Sequence, residues 1–190
     1  RTSARWIVNS LNDSKSSSEI PKSLSVSTGR SFLYRITLSR KSRDNGGESV
    51  KEINDIFIIG IDSGYGNIKT ANCCFPASVA VYDTEPVFKD NLLVYDGRYY
   101  LIGEGHKEFL ADKTKDIDYY VLALAGIARE LNIRKITSGK VHIAAGLPLT
   151  WVSGQRNEFK DYLMQNREVE FTFRGTQYHV EIIGADVFPQ

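Results

Sequence analysis

The sequence predicts an α/β fold, and three observations carry that expectation. The chain from residue 55 opens as a β-rich meander. One apolar stripe at helical spacing runs from Ile117 to Leu131, and a strand, a helix and an alternating hairpin then follow one another to the end.

The first strand is expected at Ile56-Phe57-Ile58-Ile59-Gly60-Ile61-Asp62, a β-rich apolar run closed by a carboxylate and a Gly-rich turn. A second strand is expected through Asn67 to Phe75, with Pro76 closing it or marking a sheet edge. Leu92 to Tyr95 and Arg98 to Ile102 flank Asp96-Gly97, a strong two-residue hairpin signal. Ile117, Tyr120, Val121, Leu124, Ala128 and Leu131 then repeat at spacings that draw one face of a helix of about four turns, with Asp112 or Thr114 as its cap. Lys140 to Ala145 is a short buried strand, and a second helix is expected from about Ser153 to Gln165. Val169, Phe171 and Phe173 alternate, Gly175 turns the chain, and Tyr178, Val180 and Ile182 alternate again. No internal repeat is visible at periods of about 20 to 50 residues.

Composition divides the chain. With 42% hydrophobic and 11% aromatic residues, 190 residues can bury one sizeable core. Residues 1–54 carry 10 Lys/Arg against 5 Asp/Glu and hold 13 serines without an apolar period, whereas residues 55–190 carry 14 against 18. The first stretch therefore reads as a Ser/Arg-rich tail, disordered or a non-native extension. Its bias suggests a transit peptide, against which Asp13, Glu19, Asp44 and Glu48 count. A DNA- or membrane-binding arm would rest on charge alone. The sole methionine is Met164, so the chain as given is expected to begin inside a larger product or in translated upstream sequence, with a natural start near Asn54. The sequon Asn12-Asp13-Ser14 has no secretory signal beside it and is read as chance.

Cys73 and Cys74 are adjacent, and neighbours in a strand point to opposite faces, so they are expected as reduced thiols and not as a bridge. That fits a cytoplasmic location. The longest apolar run, near Ile56 to Ile61, is far short of the roughly 20 residues that cross a bilayer, so no membrane partner is expected.

The informative segment is Gly60-Ile61-Asp62-Ser63-Gly64-Tyr65-Gly66-Asn67-Ile68-Lys69-Thr70. Two glycines one residue apart allow a strand-to-strand turn to bring backbone N–H groups against an anion, as in nests that cradle phosphate. Lys69 returns on the second strand with a positive charge. Asp62 suits a hard cation such as Mg²⁺ held through its waters. The same spacing also occurs in plain hairpins. It is neither a Walker A loop nor a dinucleotide fingerprint.

The run from Ile61 to Lys69 resembles the first phosphate loop of the superfamily that joins actin, the heat-shock chaperone ATPases and sugar kinases. It is most similar to the bacterial ParM/StbA-like branch. The similarity extends to Phe75-Pro76-Ala77-Ser78, Ile102-Gly103-Glu104, Ala145-Gly146-Leu147-Pro148-Leu149 and Asp186-Val187-Phe188-Pro189-Gln190. The resemblance implies an actin-like (RNase H-like) first domain over residues 55–190, a mixed sheet with flanking helices, ending before a second phosphate loop and a second domain. It implies ATP and Mg²⁺ as cofactors, with Asp62 as the metal and catalytic carboxylate. Ser63, Gly64, Tyr65, Gly66, Asn67 and Lys69 would surround the phosphates, and Gln190 would orient the attacking water. Tyr65 departs from the small hydroxyl residue of actin at that step. The implied role is a filament-forming ATPase that segregates plasmid or phage DNA, with itself and a DNA-bound adaptor protein as partners. Nucleic acid would be reached only through the adaptor, because the folded part is net acidic. The alternatives are a small-molecule kinase of the same superfamily and a non-hydrolysing scaffold.

Other candidates are weaker. His106, His142 and His179 lack metal-ligand spacing. Ser63 and Ser78 lack a hydrolase elbow. Glu168 and Glu170 belong to a solvated strand face, and Trp151 reads as packing.

Overall fold

The computed structural model describes residues 5–8, 33–36, 51–64, 66–105, 114 and 116–189. The chain divides into two compact units, residues 1–46 and 47–190. In the first, β1 (Arg5–Val8) and β2 (Leu33–Ile36) form a parallel pair. These strands lie within the expected tail.

Among the described residues, the second unit holds one ten-stranded sheet and two helices. It begins ahead of the expected boundary at residue 55. β3 (Lys51–Ile53) folds back antiparallel on β4 (Ile56–Ser63) through a turn at Asn54-Asp55, where both residues take positive φ. β4 alternates as a strand with one covered face should: Phe57, Ile59, Ile61 and Ser63 are buried, and the residues between them are half-open.

The single strand expected through 67–75 is instead two. β5 (Asn67–Lys69) and β6 (Cys74–Pro76) pair antiparallel around a tight turn, with Thr70 N–H donating to the Cys73 carbonyl at 2.8 Å. Cys73 therefore lies in a turn, and both cysteines are free thiols. Pro76 ends the edge strand, where a missing N–H is harmless.

β7 (Val79–Tyr82) forms the opposite sheet edge against β9 (Arg98–Ile102). β8 (Leu92–Tyr95) joins β9 through Asp96-Gly97, whose φ values of 48° and 71° are those of the mirror-image turn that hairpins favour.

α1 (Asp118–Ile133) is buried nearly all round, from Tyr119 to Ala128 and again at Glu130 and Leu131. It touches β4 and β5 on one wing of the sheet and β8 and β9 on the other, so the sheet wraps around it. Ile117 stands at its N-cap position, while the Thr114 hydroxyl donates to Glu158 Oε1; Asp112 lies outside the described residues. Asp116 Oδ1 accepts from Asp118 N–H, and the Tyr162 hydroxyl accepts from Tyr120 N–H at 2.7 Å while donating to the Asp116 carbonyl at 2.8 Å.

β10 (Ser138–Leu147), α2 (Leu149–Leu163), β11 (Glu168–Phe173) and β12 (Thr176–Pro189) complete the unit. β4, β10 and β12 run parallel in that order, and β11 and β12 form the expected hairpin. Both parallel steps move the same way across the sheet, so right-handed crossovers place α1 and α2 on one face. That face carries the core, including Ile59, Ile61, Val141, Ile143, Ala145, Ala185 and Val187. The β10–β12 ladder has one irregularity. Val141 faces Ile182 and His142 faces Gly184, leaving Ile183 as an extra residue.

Candidate functional site

Alternation along β4 sends Asp62 to the face opposite the helices, and the antiparallel register sets Lys69 of β5 directly across from it. Lys69 Nζ stands 4.0 Å from Asp62 Oδ2, with the carboxylate mostly covered (18% exposed) and the lysine half open (45%). A pair this long and this wet contributes little to stability. It leaves a cation beside a carboxylate at the mouth of a turn.

Ser63 obeys the same alternation with the opposite result. Its side chain is buried, on the side of Ile59 and Ile61, with Ile68 as its cross-strand partner. Only the backbone of Ser63 shares the Asp62 face. At Gly64 the turn closes so tightly that an added Cβ would lie 2.8 Å from the Asn67 carbonyl oxygen, whereas a Cβ at Gly66 would meet nothing within 4 Å. Asn67 follows on β5, exposed and opposite Pro76. Tyr65 and Gln190 lie outside the described residues.

The segments that carry the resemblance converge here. Ala77 N–H donates to the Gly66 carbonyl at 3.1 Å, and Gly103 N–H donates to the Ser78 carbonyl at 2.8 Å. This ties 75–78 to the loop and 102–104 to 75–78. Across the parallel strands, Gly146 of β10 stands level with Asp62, Phe188 of β12 stands level with Gly146, and Pro189 pairs with Leu147. The strands that bring these residues together all end at this level, where ligands of parallel α/β sheets bind.

Mg²⁺ keeps most of its waters and needs one or two carboxylates in addition to phosphate oxygens, so Asp62 with a backbone-lined turn fits such an ion. No group of three or more acidic, His or Cys side chains that could hold a bare metal occurs among the described residues.

Two arrangements had no signal in spacing. His142 Nε2 lies 3.1 Å from Asp186 Oδ2, and Lys160 Nζ lies 3.9 Å from the other oxygen of that carboxylate. Glu130, buried in α1, holds the β5–β6 turn. An acid inside an otherwise apolar helix stretch was the available clue to the second; the first depends on the strand register. His179, as expected of a surface histidine, lies at the exposed Glu170 carboxylate.

No described helix is long and apolar enough to cross a membrane. No curated protein matches the chain. Among solved structures it is similar to the apo ParM protein of psk41, at 14% identity and a TM-score of 0.56 over 72% of this chain and 50% of that one. It is also similar to an archaeal actin homolog, at 20% identity and a TM-score of 0.54 over 70% and 45%. A third is the AlfA filament bound to AMPPNP, at 13% identity and a TM-score of 0.52 over 70% and 54%. The chain spans about half the length of each. At these identities the likeness shows the fold, an actin-like first domain. The sequence model of the actin-like protein N-terminal domain matches residues 60–190, which is most of the chain and all of the site above. The chain therefore belongs to the actin-like proteins, and residues 60–190 are their N-terminal domain.

Proposed function

We propose that the chain is the N-terminal, nucleotide-binding half of an ATP-binding, filament-forming actin-like protein that segregates plasmid or phage DNA. The observation that carries this reading is the meeting of Asp62, Lys69 and the constricted Gly64 turn at the carboxyl ends of parallel β4, β10 and β12. Small anions with several negative oxygens suit that geometry, because the turn offers backbone donors and Lys69 offers a mobile positive charge. The AlfA filament, with the same fold, is bound to AMPPNP.

The backbone of residues 64–67 wraps the β- and γ-phosphates, and Lys69 turns from Asp62 to the phosphate oxygens. Asp62 would hold Mg²⁺ through its waters. When bound, Mg²⁺ supplies charge neutralisation at the transferring phosphoryl group. Gln190, one residue beyond the Pro189 pair, orients the attacking water. Turnover makes the filament of self-associated subunits dynamic. The net acidic character of residues 55–190 favours an adaptor protein over direct DNA contact.

Phosphate release by the intact protein tests the reading. Asp62→Ala should abolish hydrolysis with the fold retained, because a carboxylate on the face opposite the helices, 4.0 Å from its lysine, contributes little to the core. Near-normal turnover in the folded variant removes Asp62 from the site. Failure of the wild type to bind ATP·Mg²⁺ overturns the reading. ADP release that requires a small-molecule acceptor assigns a kinase, and binding without turnover assigns a scaffold.

A further inference from the structure

α1 is apolar along most of its length, yet Glu130 sits in its last turns with only 1% of its surface exposed. An acid at that depth persists only where donors reach it. Three do, and they come from one place. The Thr70 hydroxyl donates to Oε1 at 2.5 Å, the Asn72 backbone N–H donates to Oε1 at 2.8 Å, and Asn72 Nδ2 donates to Oε2 at 2.8 Å. Residues 70–73 form the turn between β5 and β6.

The same helix meets this hairpin at two further residues. Gly126, one turn earlier, admits the Thr70 methyl; an added Cβ would stand 3.3 Å from it. The Arg129 guanidinium lies 4.6 Å from the centre of the Phe75 ring on β6. The turn also closes on itself, with Cys73 N–H donating to the Thr70 hydroxyl at 3.2 Å. Lys69 immediately precedes Thr70. β5 is three residues long and meets β4 through only Lys69 and Ile68, a contact too short to fix its own position.

We propose that Glu130 is a positioning residue for the phosphate site: through the Thr70–Asn72 turn it fixes where Asn67 and Lys69 of β5 stand relative to Asp62. The proposal rests on the nucleotide reading above. Glu130 touches no phosphate itself. Its carboxylate accepts from three donors at once; glutamine in its place loses the charge that strengthens all three bonds and keeps the third only if the Asn72 amide turns over to present Oδ1.

The test titrates the intact protein with ATP·Mg²⁺, well below the melting temperature, in four forms: wild type, Glu130→Gln, Thr70→Val and the pair combined. Val180→Ala, a core truncation in β12, supplies a variant destabilised without touching the turn. Glu130→Gln should weaken ATP by about 10-fold or more, the usual loss when a supporting contact behind a site is removed. The double variant should lose no more than the worse single one, because both break the same link. Val180→Ala should bind as wild type. The alkylation rate of Cys73 reports the turn independently of nucleotide. Burial, then the Glu130 charge, hold that thiol above the ordinary range, so its modification should quicken in Glu130→Gln. Quicker alkylation with unchanged ATP affinity would overturn the proposal and leave the nucleotide reading intact. Equal loss in Glu130→Gln and Val180→Ala would assign Glu130 to stability alone. A wild type that binds no ATP would remove the nucleotide reading and this proposal together.

Discussion

Asp62 and Ser63 are neighbours in one strand and serve opposite ends. The first opens toward the cation of Lys69; the second is sealed under the helices. Gly64 adds a constraint that neither side chain supplies, since any Cβ there collides with the Asn67 carbonyl. Gly64→Val should therefore weaken ATP binding much more than Ser63→Ala, which removes one hydroxyl on the covered side. Two titrations decide it, and equal losses would reduce the segment to a plain hairpin. Asp62, Lys69 and the loop were legible in the sequence because their spacing is local and one short hairpin fixes it. The direction of Ser63 follows from counting alternation back from Asp62. Glu130 was not legible as part of the same assembly, because its partners lie 58 to 60 positions away.

Among the elements, α1 and the β8–β9 and β11–β12 hairpins appear where periodicity and turn chemistry put them, and the departures have local causes. Neither Gly nor Pro lies between Asn67 and Phe75 to mark a break, yet the turn at 70–73 splits one expected strand into β5 and β6. The start of α1 is satisfied in part from another helix. Tyr162 of α2 accepts the Tyr120 N–H and donates to the Asp116 carbonyl, a cap that no rule about flanking residues would find. Burial is the main cause pushing its phenol well above the ordinary tyrosine range, so the hydroxyl keeps its proton and remains a donor. Tyr162→Phe leaves both backbone groups without this partner and should cost about 1–3 kcal/mol. Urea unfolding at constant m measures it. A change much smaller than that would show that water takes over the cap.

At the scale of the whole molecule, the division into residues 1–46 and 47–190 bears on where the folded domain starts. Composition put the boundary at residue 55, but β3 lies on the acid-rich side of the division and covers the first three residues of one edge of β4. A chain beginning at residue 47 should melt at a higher temperature than one beginning at residue 55, and the shorter chain should aggregate more readily through the bared edge. Scanning calorimetry and light scattering compare them; identical behaviour would make β3 dispensable. The extra residue on β12 matters at this scale too. Strict alternation carried past Ile182 would bury Asp186, but the bulge at Ile183 reverses the count, so that Asp186 meets His142 and Ala185 and Val187 enter the core. Losing Ile183 would thus leave the remaining β10–β12 partners as they are, while losing a residue ahead of Asp62 in β4 would turn Asp62 to the covered face, at the place of Ile61. As sequences drift, this parallel core can change length at the bulge without exchanging its inside for its outside, whereas the strand that carries Asp62 cannot.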